Sequence, residues 1–405
     1  MYTKDEVMTF VMQEDVKFIR LAFCDTFGRQ KNISIMPTEL AEAFEYGIPI
    51  DATAVPAFAG ENISEVFLVP DPSTLAILPW RPSHGRVVRM FCDIRTPDGA
   101  SFDGDTRNFL RSAIAEAEDA GITVDIGAKY EFYIFRKDEF GNPTKVPFDN
   151  AGYLDIAPDD TGEDVRREIC LTLADMGITP QSSHHEEGPG QHEIDFRRSG
   201  ALEAADNAVT FKSVVKTIAM QNGLWATFSP KPLPEQTGNG MHLSLSVSER
   251  SGADVSEHFA AGIMHHIREL SAFLNPTEES YRRLGEKKAP KYITWSPDNS
   301  TQLICFAKRP SQPCRRMELR SPDAGANPYL AYGLLILAGL RGIRENLALP
   351  APEDIDFRTA KKRTFPHLPS LPDTLDDARL AAAESSFVRD SLPDFIFSAY
   401  TKPQD

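Results

Sequence analysis

Long apolar runs are missing from this chain. Nothing in it approaches the roughly 20 consecutive apolar residues that a membrane-spanning helix requires. Basic charge is not in excess either. The formal net charge is −16 at pH 7, which argues against a nucleic-acid backbone or an anionic membrane as the main partner. Cysteine is scarce and odd in number, with five residues (Cys24, Cys92, Cys170, Cys305 and Cys314) and no close pair of the kind that zinc sites or redox dithiols use. Structural, reduced thiols are expected. There is no helical HExxH spacing, no internal repeat and no low-complexity tract. The opening "MYTKDEVMTFVMQEDVKFIRLAF" carries acids and no long apolar core, so it does not read as a secretory signal. These absences leave a soluble, cytoplasmic protein with a small-molecule ligand as the expectation.

What is present is an ordinary globular composition, 41% hydrophobic and 25% charged, over 405 residues. That length suits two or three domains, or one large α/β unit with a smaller companion. The first hundred residues read as a small β-rich unit. "VKFIRLAFCDTFGRQKNISI" alternates apolar residues around the turn-forming "DTFGRQ", which predicts a hairpin, and "STLAILPW" and "GRVVRMFCDI" predict further strands. A turn-rich junction, "TPDGASFDGD", follows. Beyond it, "DTRNFLRSAIAEAEDAGI" predicts a helix capped by Asp105 and stopped by Gly121, and "EDVRREICLTLADMGI" repeats that design. Helices and strands mix through residues 106 to 350, as in an α+β domain. The proline-rich "LALPAPEDIDFRTAKKRTFPHLPSLPDTLDD" predicts a long, partly basic surface loop leading into a final helical segment.

Four short stretches carry polar groups at alternate positions. "EFYIF" sets Glu131 opposite Phe132 and Ile134, and "HEIDF" sets Glu193 and Asp195 opposite Ile194 and Phe196. "MHLSLSV" does the same with His242, Ser244 and Ser246, and "RRMELR" with Arg316, Glu318 and Arg320. Side chains two residues apart share a face of a strand. Any one of these stretches alone is a solvated sheet face. Four of them in one curved sheet would gather carboxylates, an imidazole and guanidiniums on its concave side. Oxygen donors of that kind suit a hard cation, and arginines suit a carboxylate or phosphate. The stretch "SSHHEEGPGQHEIDF" adds His184, His185, Glu186, Glu187 and His192, and its Pro189 and Gly190 predict a bend returning Glu193 toward Glu186. With Glu131 that makes three carboxylates, a set for Mg2+ or Mn2+. One residue is out of keeping. Lys129 in "GAKYEF" shares the face of Glu131.

These segments resemble glutamine synthetase, in the order that family has them and over nearly the whole chain. "GIPIDATAV", "AGYLD", "SHHEEGPGQHEIDF", "ATFSPKP", "GNGMH" and "RMELRSPDAGANPYLA" each match a family element. The resemblance implies an α+β fold with an N-terminal β-grasp domain, residues 1–100, and a catalytic-type domain, residues 101–405, built on a curved antiparallel sheet flanked by helices. It also implies a homo-oligomer, a dodecamer in most relatives, with active sites between neighbouring subunits. Position by position, Glu131, Glu186 and Glu193 resemble the first metal site, and His242 and Glu318 resemble two ligands of the second. Gly238, His242, Arg283, Arg320 and Tyr153 resemble the substrate contacts. Catalytic roles fall on Asp51, Arg283, Arg320 and the flap position held by Lys288.

The nucleotide side departs from the family pattern. Lys129 replaces a glutamate of "GPEPEF", the third ligand of the second metal, and Lys288 replaces the glutamate of the "GYEAP" flap. Ser300 and Cys305 stand where phosphate-contacting arginines are found, and Ser244 stands for the second histidine of "GMHCH". Ser246 and Arg316 complete that side. The expected consequence is one divalent cation, a glutamate-like or γ-glutamyl ligand, and doubtful ATP binding, with Lys129 pairing with Glu318 in place of a cation and His242 left neutral. Lys288 is expected to be a solvated flap residue. Two alternatives stay open: a working ATP-dependent glutamate–ammonia or glutamate–amine ligase, and an ATP-independent lyase or transferase using the first metal.

Overall fold

A computed structural model of the chain describes residues 2–58, 64–80, 85–307, 316–360 and 365–402. Cys314 and residues 361–364, the "KKRT" of the proline-rich loop, therefore lie outside the described residues. The N-terminal part opens with helix α1 (Lys4–Gln13), whose Thr3 and Glu6 cap it reciprocally. There follow β1 (Val16–Cys24), β2 (Gln30–Ile35), α2 (Leu40–Glu45), β3 (Ile48–Asp51), β4 (Glu65–Pro70), β5 (Ala76–Ile77) and β6 (Arg86–Arg95). These strands form a six-stranded sheet in the order β2-β1-β6-β4-β3, with β5 on β6. The predicted hairpin is β1 with β2, antiparallel; β1 and β6 run parallel.

Strand alternation explains why this sheet is held on both faces. Ile19, Leu21 and Phe23 of β1 join one hydrophobic core with Met90, Cys92 and Ile94 of β6. The intervening Ala22, Cys24 and Phe91 join the much larger core of the rest of the chain. The period of two thus divides a single strand between two cores. Arg107, buried, reinforces that junction through Asp71, Asp93 and Asp206, at 2.9 to 3.0 Å.

The larger part runs α3 (Thr106–Asp119), β7 (Ile122–Lys137), β8 (Pro143–Pro147), α4 (Glu163–Asp175), β9 (Pro180–His185), β10 (Gln191–Phe196) and β11 (Ser199–Gly200). Then come α5 (Ala201–Gln221), β12 (Leu224–Thr227), β13 (Met241–Glu249), α6 (Ser256–Leu274), α7 (Glu278–Arg283), β14 (Trp295–Ser296), β15 (Ile304–Ala307) and β16 (Arg316–Leu319). Four helices finish the chain: α8 (Pro328–Arg344), α9 (Leu375–Glu384), α10 (Ser386–Ser391) and α11 (Asp394–Thr401). Asp105 caps α3 through the N–H groups of Arg107 and Asn108, and Gly121 ends it with φ +76°. The predicted final helical segment is in fact the three short helices α9 to α11.

The α+β expectation describes the architecture. One ten-stranded sheet has the order β14-β15-β16-β13-β7-β10-β9, with β8, β11 and β12 also on β7. It is antiparallel except for β14 with β15. All four alternating stretches of the sequence belong to this sheet. Tyr130, Phe132 and Ile134 of β7 are fully buried beneath it, with Phe211 of α5 against Tyr130 and Phe132 at 5.2 and 6.0 Å between ring centroids. Truncating such a ring to alanine costs about 3–5 kcal/mol. The polar face of the same strand is therefore fixed in place from below.

Candidate functional site

Strand register assembles the site in rows. On β7, Glu131 lies opposite Glu193 of β10, which lies opposite His184 of β9. Two residues back, Lys129 lies between His242 of β13 and Asp195 of β10. On the other flank, Ser244 of β13 faces Glu318 of β16, which faces Cys305 of β15. The bend at Gly188–Gly190 returns the chain as predicted. Gln191 N–H donates to Gly188 O at 2.9 Å, Glu186 N–H donates to Gln191 O at 2.7 Å, and Gly190 has φ +69°.

Residues that could hold a cation fall into two overlapping sets whose ligand atoms lie within 4.8 Å of one another, Glu131, Glu193 and His242, and His184, Glu186 and Glu193, so the expected triad Glu131, Glu186 and Glu193 is divided between them. Glu193 is common to both. Burial, with the charges of Glu193 and Glu186, pushes the Glu131 carboxyl up to about 7, although Gly240 N–H donates to it at 2.7 Å. Burial also works against the charge of Glu193, but His184, 3.3 Å away, and Lys129 hold it below the usual carboxylate range. Burial, and then the positive charges of Arg320, Arg283, Lys129 and Lys288, hold His242 well below the usual histidine range, so its ring is neutral. Neutral imidazole and crowded carboxylates are the donor chemistry of a divalent hard cation.

Lys129 sits 3.9 Å from Asp195 and 4.0 Å from Glu318. Burial opposes its charge, yet Glu318, Asp195 and Glu193 outweigh burial and hold the ammonium above the usual lysine range. Asp195 is pushed up to about 6, by burial and then by Glu193, with Lys129 opposing. Glu318 also pairs with Arg320. Three atoms around this group have no hydrogen-bond partner among the described residues: Asp195 Oδ1, Ser244 Oγ and Arg320 Nε.

The amino-acid side is better satisfied. Arg283, buried, donates to Ser321 O at 2.8 Å and to Arg320 O at 3.2 Å. Gly238 packs so tightly that a Cβ there would come within 2.4 Å of Pro230 O and 2.9 Å of Arg283 Cγ. Its carbonyl accepts from Gln191 Nε2 at 3.2 Å, and the same amide donates to Asn239 Oδ1 at 3.1 Å. Both expected substrate arginines thus have partners within the chain.

Lys288 departs from the expected solvated side chain. Its Nζ lies 3.0 Å from Glu187 and 3.5 Å from Glu186, and 4.7 Å from the Tyr153 ring centroid. Two carboxylates and an aromatic face draw the ammonium inward. Tyr153 itself is 52% exposed, with its ring edge-on to His184. Other expected residues stand apart. Asp51 is exposed at the end of β3, its carboxylate taking the N–H and hydroxyl of Thr53. Ser300 is exposed in the turn before β15, Ser246 is half-buried opposite Asp125, and Arg316 starts β16 half-buried. Cys305 is buried, and burial with the nearby Glu318 pushes its thiol up.

A third group, Asp149, His185 and His192, also brings its ligand atoms together, but it does not suit a metal. Arg166 lies 2.9 Å from His192 Nδ1 and can only donate, so Nδ1 carries the lone pair and Nε2 the proton. A protonated Nε2 cannot ligate. His185 faces acceptors on both sides, Glu186 O at 2.7 Å and Asp149 Oδ1 at 2.9 Å. Asp149 also takes the N–H of Gly190 at 2.9 Å. The group therefore ties down the bend that carries Glu186. Asp149 had no signal in the sequence, because it sits in a loop between elements. Asp195, Glu187 and His184 did have one, in the alternation and density of their own motifs, and went without a role.

Comparison with known proteins covers nearly the whole chain. The family model for the glutamine synthetase β-grasp domain matches residues 15–97, and that for the glutamine synthetase catalytic domain matches residues 103–404. A glutamine synthetase of Methanosarcina mazei is 41% identical over 98% of this chain and 92% of its own length. One of Clostridium saccharobutylicum is 39% identical over 98% and 93%. Among solved structures, apo GmaS without ligand superposes with a TM-score of 0.87 at 28% identity, over 98% of this chain and 93% of that one. A GmaS/ADP complex gives 0.86 at 28%, over 97% and 93%.

Proposed function

The chain belongs to the glutamine synthetase family, and from that premise we propose that it binds a glutamate-like or γ-glutamyl ligand with one divalent cation, and that ordinary ATP-dependent glutamine synthesis is impaired. The observation that carries this reading is the Lys129 ammonium, 3.9 Å from Asp195 and 4.0 Å from Glu318. One fixed charge there takes the carboxylates that a second cation would need. Phosphoryl transfer depends on positioned positive charge, and losing a single such arginine can cost about 10³ to 10⁵ in rate. By resemblance to the family pattern, Ser300 and Cys305 stand in two arginine positions as well.

Glu131, Glu186 and Glu193 would hold the one cation, Mg2+ or Mn2+. When bound, such an ion polarises a carboxylate or phosphoryl oxygen. Arg283, Arg320 and Gly238 would orient the ligand's α-carboxylate and amino ends, with Tyr153 at the far end. Asp51 would reach the site from a neighbouring subunit of a homo-oligomer, a dodecamer on the family pattern. The division at residues 100 and 101, a cytoplasmic location, and a role that is regulatory, structural or an altered reaction on the ligand belong to the same proposal.

A second reading is a working ATP-dependent glutamate–ammonia or glutamate–amine ligase. It is favoured by 41% identity to a glutamine synthetase across the whole chain and by the likeness to a GmaS/ADP complex. Calorimetry with ATP and Mg2+, with and without glutamate, separates the two: heat from nucleotide supports the ligase, and none supports impairment. Phosphate release with glutamate plus ammonium or methylamine, at a rate ordinary for a ligase, would overturn the first reading outright.

A further inference from the structure

The segment between α7 and β14 holds an ammonium group against a carboxylate that the site needs for its cation. Lys288 Nζ lies 3.5 Å from Glu186 and 3.0 Å from Glu187, and covers the Tyr153 ring at 4.7 Å. The backbone that delivers it turns twice through the left-handed region, at Gly285 (φ +83°) and Lys287 (φ +50°). A non-glycine residue in that region is strained and persists only where its surroundings hold it. Part of that hold is visible. Glu286 pairs with Lys231 at 2.5 Å, and Lys231 in turn donates to Gln236 O at 2.8 Å.

We propose that Lys288 is a built-in latch: a tethered cation that closes on Glu186 and Glu187 and that a divalent cation must displace in order to bind. The inference rests on the single-cation reading above and adds a competitor that the chain carries within itself. Two positive charges cannot share Glu186 at close range without mutual repulsion, which falls off only slowly in a partly buried site. Cation entry therefore turns Lys288 out toward solvent, pivoting at the two left-handed residues. The latch also sets selectivity. An ammonium held by two carboxylates and an aromatic face is displaced by a hard divalent ion more readily than by a monovalent one, because the carboxylates gain twice the charge.

The apparent affinity of a site falls by the fraction of time it is open, so a latch closed nine-tenths of the time weakens Mn2+ binding about tenfold. Two measurements on the full-length protein test this. Mn2+ titration followed by the free-ion EPR signal is expected to show Lys288→Met binding about tenfold tighter than the wild type. Acetylation of Lys288 in the wild-type chain, read by mass spectrometry, is expected to accelerate severalfold as Mn2+ saturates, with Lys145 as an exposed reference. Equal or weaker Mn2+ affinity in the variant, or a Lys288 acetylation rate that ignores Mn2+, overturns the latch and leaves the single-cation reading standing. If neither protein binds Mn2+, the single-cation reading fails and the latch fails with it. If Lys288→Met does not fold, the acetylation result alone decides.

Discussion

At one end of the site Arg283 is buried, with carbonyls of the chain on its guanidinium and Gly238 pressed against its stem. At the other end Lys129 stands between carboxylates at 3.9 and 4.0 Å, and neighbouring polar atoms have no partner among the described residues. Arg283 reaches its end from helix α7 and Lys129 its end from strand β7, and the two are built differently. The first is a polar framework in which the Arg283 guanidinium has fixed backbone acceptors. The second is a set of charges balanced at a distance, where one residue type decides the sign of the whole group. Frameworks of the first kind are costly to disturb and hard to retune. Balanced charges are cheap to change, so a family fold can lose or alter one half-site while keeping the other.

The comparison breaks most readily at Arg283. Arg283→Ala leaves the carbonyls of Ser321 and Arg320 without their buried donor and is expected to cost about 3–5 kcal/mol, against about 1 kcal/mol for Lys129→Ala, both by urea denaturation. Equal losses would show that the two ends are not different in kind. Lys129→Glu comes next. Placing a carboxylate beside Asp195 and Glu318 is expected to destabilise the chelator-treated protein by about 2 kcal/mol. Added Mn2+ should restore the loss, and the number of ions bound per chain should rise by one; an unchanged ion count would refute the idea that the lysine stands in a cation's position.

A pH series sharpens the contrast further. Glu131 is pushed up to about 7 and Asp195 to about 6, so the native chain holds protons that the unfolded chain has already released. The contribution of these two groups to the stability of the metal-stripped protein is therefore greatest below the ordinary carboxylate range and falls as pH rises through about 6 and then about 7. Glu131→Gln should flatten the upper part of that fall and Asp195→Asn the lower part, as read from thermal unfolding across pH 4–8. The smallest effect is expected at Ser300. This exposed residue tolerates Ser300→Arg within about 0.5 kcal/mol, and any nucleotide binding that the new arginine brings, seen by calorimetry, would show how little the second half-site lacks.

Much of this was legible in the residues. The helix with its Asp105 cap and Gly121 stop, the first hairpin, and the bend that brings Glu193 back to Glu186 all follow from local chemistry. Alternation marked which face of each strand carries Glu131, Glu193, Asp195, His242 and Glu318. The position of Lys288 was not legible, because Glu286, close to it in the chain, pairs with Lys231 instead; Glu186, Glu187 and Tyr153 come from other segments. Asp149 was invisible for the same reason.

By itself, then, the sequence determined the elements, their polar faces and the family, because periodicity and capping act over a few residues. Which row each group joined was decided only by the tertiary structure. Register between strands far apart in the chain put Lys129 between His242 and Asp195, and the fold of the loop after α7 brought Lys288 onto Glu186. Charge pairing depends on distance in space, and that distance does not exist until the sheet has formed.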